Sequence, residues 1–174
     1  NFILFGQPDC TVVVTDATAL ERNLNLVLQV LEITEKVVVA VNLMDEAKRK
    51  GIEVDTRSLA RDLGVPVIPI TARNGEGVQT LLSTISSVIS GEIVTKPLRV
   101  KGSDQFQSAV KSLSNEIEKL FPGVPNARWL AIRLLDGDAR VKEAIQSGEI
   151  HELVTSQRRS DVQFSRKMSV EGRL

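Results

Sequence analysis

The sequence contains few of the residues that mark several large classes of protein. Cys10 is its only cysteine, so no internal disulfide can form and a reducing compartment is expected. Tyrosine is absent and aromatic residues make up 3% of the chain, which disfavours a stacking surface for single-stranded nucleic acid. The 22 basic and 22 acidic residues cancel, so the positive excess typical of nucleic-acid-binding proteins is missing. We therefore expect no nucleic-acid partner.

Long apolar runs are missing as well. Runs such as 12–14 and 37–41 have the length of strands and are too short to cross a bilayer, and no secretory signal pattern opens the chain. The apolar content of 42% still allows an ordinary buried core. We expect a cytosolic polypeptide with one domain, or one small domain and an appendage.

Strand and helix patterns alternate up to about residue 90. Short β-branched runs predict strands buried on both faces, and apolar residues at helical spacing separate them. The predicted strands are 11–15, 37–41 and 67–70, and the predicted helices are 20–32, 56–63 and 77–90. Three such units in a row predict a doubly wound parallel sheet with right-handed crossovers. Pro69 favours an irregular or edge position for the third strand.

The pattern becomes entirely helical after Gly91. Residues 92–103 contain Pro97 and Gly102 and are typical of a linker. Helices are predicted at 104–120, 126–135 and 139–146, with Trp129 as the residue that packs them together. The predicted fold is thus α/β, a partial parallel sheet followed by an α-helical domain. We divide the chain into an incomplete first domain at 1–94, a helical domain at 95–156 and a tail at 157–174.

Two polar clusters follow strands of the predicted sheet, at the edge where ligands bind in open parallel sheets. The first is Asn42-Leu43-Met44-Asp45, and the second is Thr71-Ala72-Arg73-Asn74-Gly75-Glu76-Gly77. The carboxylate of Asp45 can accept hydrogen bonds from both N1–H and the exocyclic amine of guanine, a donor pair that adenine lacks. The backbone N–H of Ala72 can donate to the carbonyl oxygen of the base. The alternative is that Asn42 and Asp45 only cap a turn and a following helix.

The clusters resemble the fourth and fifth motifs of GTPases, Asn-Lys-x-Asp and Ser/Thr-Ala-Lys/x. Further segments resemble the cytosolic N-terminal region of the ferrous iron transport protein B (FeoB) family, and one of them falls in the helical part, where generic GTPases have no counterpart. These segments are 9–14, 21–26, 42–47, 63–67 and 128–138. The resemblance covers roughly residues 1–150.

This resemblance implies a GTP-binding domain and a helical domain that together precede a membrane permease for Fe²⁺. The implied ligands are GTP or GDP, with Mg²⁺ in an intact domain, and the implied location is the cytoplasmic face of the bacterial inner membrane. Expected partners are the permease and further copies of the chain. The implied guanine-binding residues are Asn42, Leu43, Asp45, Thr71, Ala72 and Arg73. Leu43 replaces the lysine that normally packs across the base, which predicts a weaker hold on the nucleotide.

A phosphate-binding loop is missing, because the sequence contains no Gly-Lys-Ser or Gly-Lys-Thr. Residues 1–5 resemble the first strand of such a domain, and Gly6-Gln7-Pro8 resembles the start of its loop, but the pattern then jumps at Asp9. Either residues are missing between Pro8 and Asp9, or the domain is truly shortened.

This chain therefore supplies no predicted catalytic residue and no metal ligand. The parent protein is expected to be a GTPase, while the activity of the chain itself stays open. The alternatives are a non-catalytic interaction module and a fragment of another small GTPase of the ribosome-assembly type.

Overall fold

The computed structural model describes Ile3, Gly6 and residues 8–99 and 102–155. The chain divides into two compact units. One is an α/β unit of residues 8–100, and the other contains residues 1–7 and 101–174 and is helical where it is described. Of the strand predicted at 1–5, only Ile3 is described, and it is helical, so the prediction is wrong there. The tail at 157–174 lies outside the described residues.

The α/β unit is built on a parallel sheet of three strands in the order β1-β2-β3. The strands are β1 (Thr11–Asp16), β2 (Val37–Asn42) and β3 (Val67–Pro69). Thr11 is paired with Val37 at one end of the sheet, and Asp16 with Asn42 at the other. All three predicted strands are therefore confirmed, including the edge position of the strand that contains Pro69.

Four α-helices accompany this sheet: α1 (Leu20–Ile33), α2 (Met44–Arg49), α3 (Thr56–Leu63) and α4 (Val78–Ser90). A short 3-10 helix, Ala17–Ala19, links β1 to α1. Asp55 caps α3 by accepting hydrogen bonds from the N–H groups of Arg57 and Ser58. Helix α2 is the element that the sequence did not predict, because six residues are too few to show helical periodicity.

β2 forms the centre of the core. Its first five residues are completely inaccessible to solvent. Val37, Val39 and Val41 join residues of α1 and α3 in one apolar cluster, while α4 lies against the same strand. Because a strand buried on both faces can gain stability only from apolar side chains, this run contains no polar residue before Asn42.

The segment after α4 is bound to the α/β unit. The backbone N–H groups of Lys96 and Leu98 donate to the carbonyl oxygens of Gly64 and Leu63, and the hydroxyl of Thr95 donates to the carbonyl oxygen of Glu35. A Cβ on Gly64 would lie 1.9 Å from the carbonyl oxygen of Lys96, so only glycine allows this approach. Residues 95–99, hereafter the strap, were predicted as linker and instead pack on the first unit.

The helical unit contains α5 (Asp104–Leu120), α6 (Ala127–Leu135) and α7 (Ala139–Gln146), followed by helical residues 149–155. The three predicted helices are thus confirmed. Ser103, Asn126 and Asp138 cap them through their side-chain oxygens. Trp129 is only half-buried, and its neighbours Leu130 and Ala131 are the fully buried residues of α6. Within the described ranges, every helix is too short or too polar to cross a membrane.

The outer edge of β1 pairs with no other strand of the described residues. Within the described residues its only strand partner is β2, and its side chains Val12 and Val14 are 37% and 57% exposed. An unpaired edge with exposed valines is a template for pairing with another strand.

We expect the chain to self-associate through this edge at high concentration, and Val14→Lys to weaken that association without unfolding the unit, since the side chain is already exposed. Sedimentation velocity over a concentration series measures the effect. Leu82→Lys, an equally exposed apolar position on α4, is the matched control. Equal association of the native and Val14→Lys proteins would contradict the prediction.

The cap of α7 gives a pH-dependent contribution to stability. Hydrogen bonding from the Val141 N–H, together with the Arg133 guanidinium and the Arg140 N–H, lowers the pKa of Asp138. Because the folded-state pKa lies below the unfolded value, the charged carboxylate stabilises the fold above the usual carboxyl range. That stabilisation is lost as the pH falls through the folded-state pKa.

Asp138→Asn should therefore remove part of the acid sensitivity of the helical unit while keeping an oxygen to cap the helix. Thermal melts between neutral and acidic pH measure this loss of acid sensitivity as a change with pH in the difference between the native and variant Tm. The same melts on Glu118→Gln, which changes an exposed carboxylate of α5 away from this cap, should follow the native protein. A native-like pH dependence of Asp138→Asn would show that the cap carboxylate does not titrate as proposed.

Candidate functional site

The two predicted clusters lie together at the carboxyl edge of the sheet. Asn42 is the last residue of β2, and Asp45 lies in the first turn of α2. The second cluster follows β3, the neighbour of β2 in the sheet. Parallel strands place their carboxyl ends at one edge, so residues 30 positions apart in sequence become neighbours.

The side chain of Asn42 joins the clusters directly. Its Oδ1 accepts a hydrogen bond of 3.0 Å from the backbone N–H of Ala72. A second bond runs between the same loops, from the Met44 N–H to the carbonyl oxygen of Ile70 at 3.4 Å. Asn42 therefore fixes the loop after β3 against the loop after β2.

Leu43 contributes through its backbone. It is one of two non-glycine residues with a positive φ in the described parts of the chain, and its φ of 63° and ψ of 33° are left-handed. Its carbonyl oxygen accepts hydrogen bonds from the N–H groups of Glu46 and Ala47, which begins α2. This turn reverses the chain between Asn42 and Asp45 and allows both side chains to reach the same edge.

The carboxylate of Asp45 is at the surface and is paired. Its Oδ2 lies 2.6 Å from a terminal guanidinium nitrogen of Arg73 and 4.0 Å from one of Arg49. The Asp45 side chain is 26% exposed and that of Arg73 is 74% exposed. The contact between the two predicted site residues is therefore a charge-assisted hydrogen bond open to solvent.

The loop after β3 is a tight turn closed on itself. The Thr71 N–H donates to the carbonyl oxygen of Glu76 at 2.9 Å, and residues Ala72–Asn74 form a 3-10 helix between them. Gly77 has a φ of 75°, and a Cβ there would lie 2.3 Å from the carbonyl oxygen of Pro69. Thr71 is 2% exposed, and its hydroxyl has no hydrogen-bond partner among the described residues. Thr71 thus lies at the buried end of the loop.

The structure brings all six predicted residues to one edge but gives them different positions. Asp45, Ala72 and Arg73 are exposed or partly exposed, whereas Thr71 is buried. The Ala72 N–H, expected to donate to a base carbonyl, is donated to Asn42 here. Within the described residues no group of three His, Cys, Asp or Glu side chains could hold a metal ion. Among the described residues, this edge presents the Asp45 carboxylate and the Ala72 N–H as hydrogen-bonding groups.

A groove that the sequence did not indicate lies elsewhere in the α/β unit. Its volume is about 710 Å³, and it is lined by the 3-10 helix Ala17–Ala19, the start of α1, the chain at 52–55 and two residues of α3. None of the six predicted residues lines it. No motif or unusual spacing marks these positions, because the groove arises only when α1 and α3 pack on the same face of the sheet.

Two family models match the chain in succession. The model for ferrous iron transport protein B matches residues 1–85, and that for the FeoB cytosolic helical domain matches residues 103–171. The Fe(2+) transporter FeoB of Escherichia coli (strain K12) is 33% identical over 144 residues, which are 79% of this chain and 17% of that protein. The Fe(2+) transport protein A/Fe(2+) transporter FeoB fusion protein of Porphyromonas gingivalis is 34% identical over 142 residues, with shares of 80% and 17%.

Solved structures of FeoB cytosolic domains also match this chain. The cytosolic domain of L. pneumophila FeoB superposes with a TM-score of 0.69 at 33% identity, covering 83% of this chain and 57% of that one. The cytosolic domain of the T. maritima FeoB iron transporter in a GDP form superposes with a TM-score of 0.74 at 26% identity, covering 96% and 70%. The chain thus spans 17% of the curated relatives' length and over half of these solved domains.

The Asn42 contact predicts how the two loops hold together. Asn42→Ala removes the acceptor of the exposed Ala72 N–H, which we expect to weaken its protection by about 1 kcal/mol, or about fivefold in amide hydrogen exchange. Nuclear magnetic resonance reads this exchange residue by residue. Asn74→Ala is the matched control, since Asn74 accepts from the Glu76 N–H in the same loop and should leave Ala72 protected. Unchanged exchange at Ala72 in Asn42→Ala would contradict the role of this bond.

Proposed function

Because this chain belongs to the ferrous iron transport protein B family, we propose that it forms the guanine-recognising and helical parts of the cytosolic region of a ferrous iron transporter. The observation that carries the proposal is the bond between Asn42 and Ala72, which joins the loop after β3 to the loop after β2 that contains Asp45. The site residues are Asn42, Leu43, Asp45, Thr71, Ala72 and Arg73.

The base is bound by complementary hydrogen bonds at this edge. The Asp45 carboxylate accepts from N1–H and from the exocyclic amine of guanine, and its partial exposure leaves it within reach of a ligand. The exposed Ala72 N–H donates to the carbonyl oxygen of the base when it is released from Asn42. Adenine presents neither the donor pair nor the carbonyl, so this arrangement selects guanine. Leu43 adds apolar surface where many GTPases have a lysine.

The nucleotide as a whole needs groups that this chain does not supply. The sequence contains no Gly-Lys-Ser or Gly-Lys-Thr for the phosphates, and the described residues contain no acidic cluster for Mg²⁺. We therefore assign hydrolysis of GTP to the parent protein, with residues outside this chain binding the phosphates. Support comes from the T. maritima FeoB domain, which has been solved in GDP and GMPPNP forms.

The partner of this region is the membrane permease of the same transporter. The curated relatives are Fe(2+) transporters of which this chain spans 17%, so most of their length lies in other parts of the protein. The helical unit, which matches the FeoB cytosolic helical domain, transmits the nucleotide state to the permease on the cytoplasmic side. Further copies of the chain are a second class of partner.

Asp45→Asn tests whether this carboxylate reads the base. The amide of this variant keeps one oxygen but replaces the second acceptor with a donor. Its affinity for guanosine should therefore fall. Its affinity for xanthosine should rise, because xanthine has a carbonyl where guanine has the amine. We expect guanosine binding to fall about tenfold or more, because the lost bonds are to a charged acceptor. Titration with neutral nucleosides, followed by nuclear magnetic resonance, avoids any need for a phosphate site.

Glu46→Gln is the matched control, since it neutralises the adjacent carboxylate, which pairs with Lys50. It should retain the native preference for guanosine. If the native and Asp45→Asn proteins bound guanosine and xanthosine equally, the proposed guanine site would be wrong.

A further inference from the structure

We propose that Arg73 competes with guanine for the carboxylate of Asp45, so that the loop after β3 acts as a latch on the site. The latch consists of two contacts: Arg73 with Asp45, and the Ala72 N–H with Asn42. This inference rests on the proposed function, because it concerns access of the base to the same groups.

Arg73 presents to Asp45 the same kind of donor as the ligand does. The guanidinium carries N–H groups fixed in one plane, and a carboxylate can accept two of them side by side. Guanine contains this same nitrogen–carbon–nitrogen arrangement, with N1–H and the exocyclic amine on one carbon. Arg73 occupies one of the two Asp45 oxygens, Oδ2, at 2.6 Å, so a guanine edge that uses both oxygens competes with it there.

The second contact adds to the same competition. Ala72 and Arg73 are consecutive residues of one turn, and both are bonded to the loop that follows β2. A base that uses both Asp45 and the Ala72 N–H therefore needs both contacts to open. Because the turn is closed between Thr71 and Glu76, the two residues move together.

Exposure limits the strength of this latch. The Arg73 side chain is 74% exposed, and pairs of this kind contribute little in water. Removing Arg73 should thus strengthen guanosine binding about twofold to fivefold and should not change it by orders of magnitude. Salt screens exposed charges, so the gain should shrink at high ionic strength.

The opposite role for Arg73 is to stay bound with the ligand, with its planar guanidinium stacked on the base. In that case Arg73→Ala would weaken guanosine binding. The sign of the change therefore separates a competitor from a ligand-binding residue.

The experiment is a guanosine titration of the full chain, native and Arg73→Ala, at low and at high salt. Arg57→Ala is the matched control, since it removes an exposed arginine of α3 and the same charge. We expect tighter guanosine binding only for Arg73→Ala, with the advantage reduced at high salt and no gain for adenosine. Increased hydrogen exchange at Ala72 in the unliganded variant would support the coupled opening of both contacts.

Two results would overturn the latch, and they differ in what they say about the site. If guanosine binds, depends on Asp45 and is unchanged or weaker in Arg73→Ala, the latch is wrong and the guanine site stands. If neither protein responds to guanosine and Asp45→Asn changes nothing, the proposed site falls and the latch falls with it. A gain of equal size in Arg57→Ala would also overturn the latch, because it would assign the effect to net charge.

Discussion

The complete burial of β2 is the constraint on which the α/β unit depends. A strand without solvent contact needs a neighbour on each edge and helices on both faces, because its backbone groups must be paired and its valines covered. The chain meets this requirement with β1 and β3 beside it and helices packed on it. The first polar residue that β2 permits is Asn42, at its exit from the core. The position of the site is thus a consequence of where burial ends.

Much of this arrangement can be predicted from the sequence. Runs of valine and helical periodicity gave the three strands and the longer helices within about one residue. The candidate site residues could be predicted to share one sheet edge, because two motifs each follow a buried strand. Helix α2 could not be predicted, since it is shorter than two helical turns and begins from the left-handed turn at Leu43. The burial of Leu130 and Ala131 in preference to Trp129 depends on how α5 and α6 pack, and periodicity alone does not reveal it.

The contacts within the candidate site could not be predicted from the sequence either. The motifs indicate which groups can meet a base, but they do not indicate that these groups bond to one another. Asn42 with Ala72, and Asp45 with Arg73, pair because a donor and an acceptor that meet at the same edge gain a hydrogen bond. The strap was missed for a related reason. Pro97 within it and Gly102 after it are typical of a linker. Its attachment depends instead on Gly64, which has no side chain to block the approach of Lys96.

The strap also determines where mechanical load would enter the α/β unit. Its hydrogen bonds end on Glu35, Leu63 and Gly64, which precede β2 and β3 and lie at the amino edge of the sheet. The loops after β2 and β3 lie at the opposite edge, about 20 Å away along a strand of six residues. Tension applied beyond Arg99 would first load the Arg99–Glu35 ion pair and then the bonds of Leu98 and Lys96, before it reached the loops after β2 and β3. The strap would in this way protect the two loops from a pulling force on the chain beyond it.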